Sequence, residues 1–235
     1  MNHSDIAYTA VPLESGSRDS TRRSQLHATL RDLILDGHFS AGQKLVEREL
    51  CELTGVSRSI LREALVSLES SGLIQNESYR GFFVTRLGIR KVYEIFELRS
   101  SLETQAAELF AERASDLEMS ELSEVLIGLE NCVKNFDLTE MRSIKERYYE
   151  LLFNGCRNEE IKKALGIIID QVYYLRSYLM TDPERRTASL EEMKALTQAL
   201  LARNRPAARE ATLIHLQAAR DSVVKAMMRE SETSK

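Results

Sequence analysis

The sequence predicts a mainly α-helical protein in two parts: three short helices closed by a β-hairpin, then an antiparallel bundle of six longer helices. Three observations lead there. Only three prolines and ten glycines interrupt 235 residues, of which 43% are hydrophobic and 29% charged, the balance of a globular chain with a buried core. Apolar side chains recur at three- and four-residue spacing along most of its length. The one stretch that reads as paired strands, residues 73–75 and 82–85 around the polar run 76–81, falls between the two helical parts.

Residues 1–20 are polar and aperiodic and read as a disordered arm. A first domain is expected over residues 21–87 and a second over 88–230. Helical periodicity starts near Thr21, with Leu26, Leu30, Leu33 and Ile34 on one face, and Gly37 is a natural stop. Residues 39–43 form a turn and 44–46 a short extended piece. A helix over 47–54 turns Leu50 and Leu53 inward and ends at Gly55. The next opens at Ser57, a good N-cap residue, and buries Ile60, Leu61, Ala64, Leu65 and Leu68 before Gly72. Helix, glycine-containing three-residue turn and helix make a helix-turn-helix, and the hairpin after it makes a wing. From Ile89 six amphipathic helices follow, over 89–114, 118–135, 138–154, 159–180, 188–204 and 206–229.

The net charge of −4 is unevenly spread. Residues 22–91 carry 11 basic and 8 acidic side chains, whereas residues 92–235 carry 20 basic and 25 acidic ones. A basic segment joined to an acidic one suggests that one part meets phosphate and the other does not. Cys51, Cys132 and Cys156 are odd in number and contain no CxxC pair, so neither a disulfide framework nor a zinc ribbon is expected, and a reducing cytoplasm fits best. The longest apolar run, near residues 166–169, is far too short to span a membrane. Repeated Glu-x-x-His pairs, a P-loop and a defensible Ser/His/Asp arrangement are all missing, so no enzyme is expected.

In the second helix of the helix-turn-helix, the apolar pattern leaves Ser57, Arg58, Ser59 and Arg62 on the opposite face, near the helix N-terminus. Recognition helices insert that end in the major groove, where Arg grips guanine O6 and N7. Arg58 and Arg62, four residues apart, share a face. Arg48 on the preceding helix is placed to clamp the DNA backbone. For Arg58 and Arg62 the bland alternative is a solvated helix face, and the apolar pattern that sets their outward position on the recognition helix favours DNA contact.

The run VERELCELTGVSRSILREAL from Val46, followed by LESSGLI from Leu68 and the wing, resembles the DNA-binding domain of the GntR family. The upstream Ile34-Leu-Asp-Gly and the later Gly42-Gln-Lys-Leu fit the same pattern. The resemblance implies that Arg48, Arg58 and Arg62 contact DNA and that the wing tip, Tyr79, Arg80 and Gly81, enters the minor groove. Two positions depart from the family pattern: Ser59-Ile60 stands where Thr-Pro is common, and Tyr79 where a glycine is usual. For Tyr79, DNA contact and a merely exposed ring are about equally expected.

In the helix from Ile89, Arg99 falls on the apolar stripe of Val92, Ile95, Phe96, Leu102, Ala106, Leu109 and Phe110. A guanidinium among apolar neighbours requires an anionic partner. That partner is either a carboxylate from another helix or a dimer rim, or an acid group on a ligand. The segment 94–103 and the helix count resemble the FadR-type (FCD) effector domain, closest to its six-helix, VanR-like branch. Many such domains hold a divalent metal. The corresponding positions here are Lys145, Tyr149, Met193 and His215, a set unsuited to Zn²⁺ or Ni²⁺, so neither a metal nor another cofactor is expected. All four are placed to point into the bundle. Lys145 with Arg99 would then bind a carboxylate-bearing effector, with Tyr149 and His215 supplying hydrogen bonds. The competing reading, nearly equal, has Lys145 snorkelling or paired with a glutamate and His215 as a satisfied core residue.

The resemblance implies a cytoplasmic homodimeric regulator, acting as a repressor, with a palindromic double-stranded DNA operator, a small organic-acid effector and no membrane partner. The alternative is an architectural DNA-binding protein indifferent to ligands.

Overall fold

The computed structural model describes residues 19–180 and 182–233. The expected N-terminal arm lies, but for its last two residues, outside them. The described residues divide into two compact units, those up to 86 together with 169–174, and 87–168 together with 175–233.

In the first unit, α1 (Asp19–Leu35), α2 (Glu47–Thr54) and α3 (Arg58–Ser70) surround a small core of Leu26, Leu30, Ile34, Leu50, Leu61, Leu65 and Leu68. α1 packs on α3, and α2 packs on α3. Gly37 ends the first helix in a left-handed conformation, and the His38 amide reaches back to the Leu33 carbonyl at 3.0 Å. Ser57 occupies the N-cap position of α3 with extended backbone, but its side chain makes no capping hydrogen bond. The wing is longer than the sequence suggests. β2 (Ile74–Glu77) pairs antiparallel with β3 (Gly81–Val84), from Ile74 opposite Val84 to Glu77 opposite Gly81. The extended piece at β1 (Lys44–Leu45) joins the other edge of β3, giving a three-stranded sheet in the order β1-β3-β2.

Six further helices follow among the described residues: α4 (Ile89–Arg113), α5 (Asp116–Asn135), α6 (Leu138–Gly155), α7 (Glu159–Met180), α8 (Pro183–Leu201) and α9 (Arg205–Thr233), all in the second unit except residues 169–174 of α7. α4 packs along α9, α8 on α9, and α5 on both α6 and α8. Phe110, Leu122, Leu129, Tyr148, Cys156, Met193 and Leu200 lie in one continuous apolar core. Gly155 closes α6 against the Phe110 ring, and a Cβ there would stand 2.5 Å from ring carbons.

In the second unit two helix starts differ from expectation by more than one residue, and capping explains both. α5 begins at Asp116, two residues early, because Ser115 and Glu118 form a reciprocal capping box. α8 begins at Pro183, five residues early: Asp182 accepts from the amides of Glu184 and Arg185, and Pro183 at the first turn needs no donor. Its first turn carries charged side chains, so apolar periodicity could not reveal it. α8 also stops at Leu201, short of the expected 204, and α9 runs four residues past the expected 229.

Candidate functional site

The first candidate site is the exposed face of α2, α3 and the wing. Ser57, Arg58 and Ser59 are all exposed at the start of α3, which follows from the inward placement of Leu61, Ala64 and Leu65. Arg58 has no ion-pair partner among the described residues. Arg62 is held: its Nε lies 3.1 Å from both carboxylate oxygens of Glu47 on α2. Arg48 lies 3.5 Å from Glu52 one turn along its own helix. In the wing, Arg80 pairs with Glu77 and sits over the Phe83 ring. Tyr79 is fully exposed at the turn with φ +63°, a left-handed conformation that a bulky residue adopts at a cost. Sequence reasoning missed Glu47, because fifteen residues and a turn separate it from Arg62 and no helical spacing links them.

The second candidate site is a pocket inside the second unit. Arg99 from α4, Lys145 and Tyr149 from α6, Arg176 from α7, Ser189 from α8 and His215 from α9 all line it. Its free space is about 20 Å³, room for about one water molecule. Arg99 is 2% exposed, and its Nε donates to Glu103 at 2.6 Å while its guanidinium lies over the Phe96 ring. The anionic partner required by the sequence thus comes from the same helix, one turn on, rather than from another helix. The Arg176 guanidinium stacks on the Tyr149 ring, 3.8 Å from its centre.

The Lys145 ammonium donates to the Ser189 hydroxyl at 3.1 Å, and no carboxylate pairs with it among the described residues. Burial, reinforced by the positive fields of Arg176 and Arg185, lowers its pKa to about 7, against the weaker pull of Glu192. Behind it runs a polar chain. The Tyr149 hydroxyl lies 3.0 Å from His215 Nε2, and His215 Nδ1 lies 2.7 Å from Glu192. Arg185 grips both oxygens of Glu192 at 2.7 Å. Burial lowers the His215 pKa, opposed by its hydrogen bond to Glu192. A neutral imidazole that donates from Nδ1 to the carboxylate leaves Nε2 to accept from Tyr149. Burial acts to raise the Glu192 pKa, but the hydrogen bonds and charges of His215 and Arg185 outweigh it and the net shift is downward.

Of the five residues expected in the pocket, four line it. Met193 does not: its side chain is buried in the apolar core. Without Met193 the pocket offers Lys145, Tyr149 and one imidazole, His215, a donor set that does not fit Zn²⁺ or Ni²⁺. Among the described residues no three His, Cys, Asp or Glu side chains gather to hold a metal ion. Arg176, Ser189, Arg185 and Glu192 were not anticipated. Arg176 had a signal: it stands on the apolar stripe of Leu165, Ile168, Val172 and Leu175, the same anomaly that marked Arg99. The pairing of Glu192 with His215, across two helices, had none.

Comparison with known proteins resolves the family. Residues 22–84 match the model for bacterial regulatory proteins of the gntR family, and residues 94–218, more than half of the chain, match the FCD domain. The chain belongs to the GntR family. It is a transcriptional regulator, with a helix-turn-helix domain for DNA and an FCD domain for effectors, and not an enzyme. This GntR regulator is 30% identical to the HTH-type transcriptional regulator YdhC of Bacillus subtilis, over 81% of this chain and 86% of YdhC. It is 28% identical to the galactonate operon transcriptional repressor of Escherichia coli, over 79% and 89% of the two chains. Its fold is shared with a GntR transcriptional regulator from Rhodococcus sp. RHA1, with a TM-score of 0.75 at 22% identity, covering 87% of this chain and 98% of that one. No described helix is long and apolar enough to cross a membrane.

Proposed function

We propose that this GntR regulator, of the six-helix VanR-like branch, is a cytoplasmic homodimeric repressor that releases a palindromic operator when a small organic acid enters the FCD pocket. The observation that carries this reading is the convergence of Arg99, Lys145 and Arg176, cations from three helices, on one pocket. Such a field favours an anion, and Tyr149, Ser189 and His215 add hydrogen-bonding groups that orient it. The Lys145 ammonium does the work that a metal cation does elsewhere in the family, so the effector binds without metal. On the DNA side, Arg58 and Arg62 read bases in the major groove, Ser57 and Ser59 and Arg48 hold the backbone, and Tyr79, Arg80 and Gly81 approach the minor groove. A two-fold dimer presents two such faces to a two-fold operator. The ligand shifts operator affinity only as far as it distinguishes the DNA-bound and released states.

Melting temperature against a panel of small carboxylates, with and without Zn²⁺, tests this reading. The expected result is a rise with one acid and no dependence on metal. A rise with zinc alone would overturn the pocket assignment, and no response to either would favour a ligand-independent DNA binder. Lys145→Ala should abolish both the rise and operator release, and an unchanged response would remove Lys145 from the site.

Lys145 also predicts a pH dependence. Its pKa falls from 10.5 to about 7 in the fold, so between those values the unfolded chain binds more protons and stability rises with pH. Lys145→Met should flatten that rise, as measured by melting temperature from pH 7 upward.

A further inference from the structure

Two acidic side chains stand on the face assigned to DNA, Glu47 in the first turn of α2 and Glu77 in β2, and each holds an arginine. A carboxylate there repels phosphate, so its presence needs a reason. One reason is structural, because an acid in the first turn of a helix offsets the partial positive charge of the free amides. Glu49 fills that role in the same turn of α2, exposed and with no ion-pair partner among the described residues.

Glu47 differs from Glu49 in geometry. Both of its carboxylate oxygens lie 3.1 Å from Arg62 Nε. Neither Nη group of Arg62 makes a hydrogen bond among the described residues. Glu47 is also the more enclosed partner, its side chain 28% exposed against 68% for Arg62. The carboxylate is therefore the fixed point, and the guanidinium is the arm it holds. The pair lines one cleft with Asn76, Glu77 and Tyr79 of the wing. A guanidinium anchored at Nε presents its two Nη groups as a parallel fork, which matches O6 and N7 of guanine. An unanchored arginine reaches phosphate as well, and a phosphate contact carries no sequence information.

We propose that Glu47 is a positioning residue that sets base specificity, anchoring Arg62 by Nε so that its Nη fork meets one guanine in the major groove. This rests on the assignment of Arg62 to base reading and deepens it. Repulsion between Glu47 and the DNA backbone is common to all sequences and cancels from a comparison between them. The ordered fork does not cancel, because it engages the guanine with the Glu47 pair intact. A phosphate beside the groove asks Arg62 to leave that pair.

The test is selection. Full-length protein and each variant select duplexes from a pool of randomised sequence, well below their melting temperatures, and the bound pools are sequenced. Arg62→Ala marks the base pair that Arg62 reads, the one whose preference disappears. Glu47→Ala should flatten the guanine preference at that same base pair by roughly fivefold, the upper worth of an exposed ion pair. The preference that depends on Arg58, which has no ion-pair partner among the described residues, should stay. Adding Glu47→Ala to Arg62→Ala should flatten nothing further. Glu47→Gln loses the charge but keeps a carbonyl oxygen that accepts from Nε, and should restore most of the preference. Glu49→Ala removes an equal charge from the same turn and should leave every base preference unchanged. Full guanine preference in Glu47→Ala, or equal flattening by Glu49→Ala, overturns the proposal and leaves Arg62 a base reader. If Arg62→Ala itself changes no preference, Arg62 reads no base and both readings fail together.

Discussion

The two units use arginine in opposite ways. On the helix-turn-helix face, Arg48, Arg58 and Arg62 stand in water, and where they pair with Glu52 or Glu47 they do so at the surface. In the FCD domain, Arg99 of the pocket wall is enclosed with Glu103, and Arg185 is enclosed with Glu192. An exposed pair is screened and exchangeable, so its arginine is free to trade a carboxylate for a phosphate or a guanine. A buried pair holds its geometry, because either partner alone would be an uncompensated charge in a poor solvent. The first arrangement suits a surface that must meet a new partner, and the second a cavity that must keep its shape until a ligand arrives.

Four substitutions sharpen this contrast. The largest effect is expected at Arg99→Met, which strands Glu103 and should cost about 3–5 kcal/mol of stability in denaturant melts. Adding Glu103→Leu should recover much of that loss, and a double-mutant cycle measures the recovery. Next, Arg58→Ala should weaken operator binding by roughly 1–3 kcal/mol and relax base preference at one position, with the melting curve unmoved. The smallest is Glu47→Gln, which breaks the surface pair with Arg62 and should change stability by less than about 1 kcal/mol. A loss at Glu47 as large as that at Arg99 would erase the distinction between the two units.

Legibility followed the range of the forces involved. α2 and α3 were readable because Leu50, Leu61, Leu65 and Leu68 bury at helical spacing, and the outward arginines follow from that placement. Arg99 was readable as an anomaly on an apolar stripe, and Glu103 one turn away follows the same periodicity. The start of α8 was hidden because Asp182 and Pro183 set it by capping, which leaves no apolar pattern. Met193 shares a helix with Ser189 and Glu192, yet packs in the core, and alignment by spacing alone could not separate those directions. The chain from Tyr149 through His215 to Glu192 joins residues up to 66 positions apart, and only the tertiary fold brings them together.

The wing tip has a practical consequence for anyone wishing to watch this regulator at work. Tyr79 projects fully into solvent, and the chain contains no tryptophan. A single Tyr79→Trp replacement would therefore place the sequence's one indole at the exposed turn of the wing, where excitation on the red edge of tyrosine absorption selects it from the seven remaining tyrosines. Its emission would report operator engagement directly, without a label attached to protein or DNA.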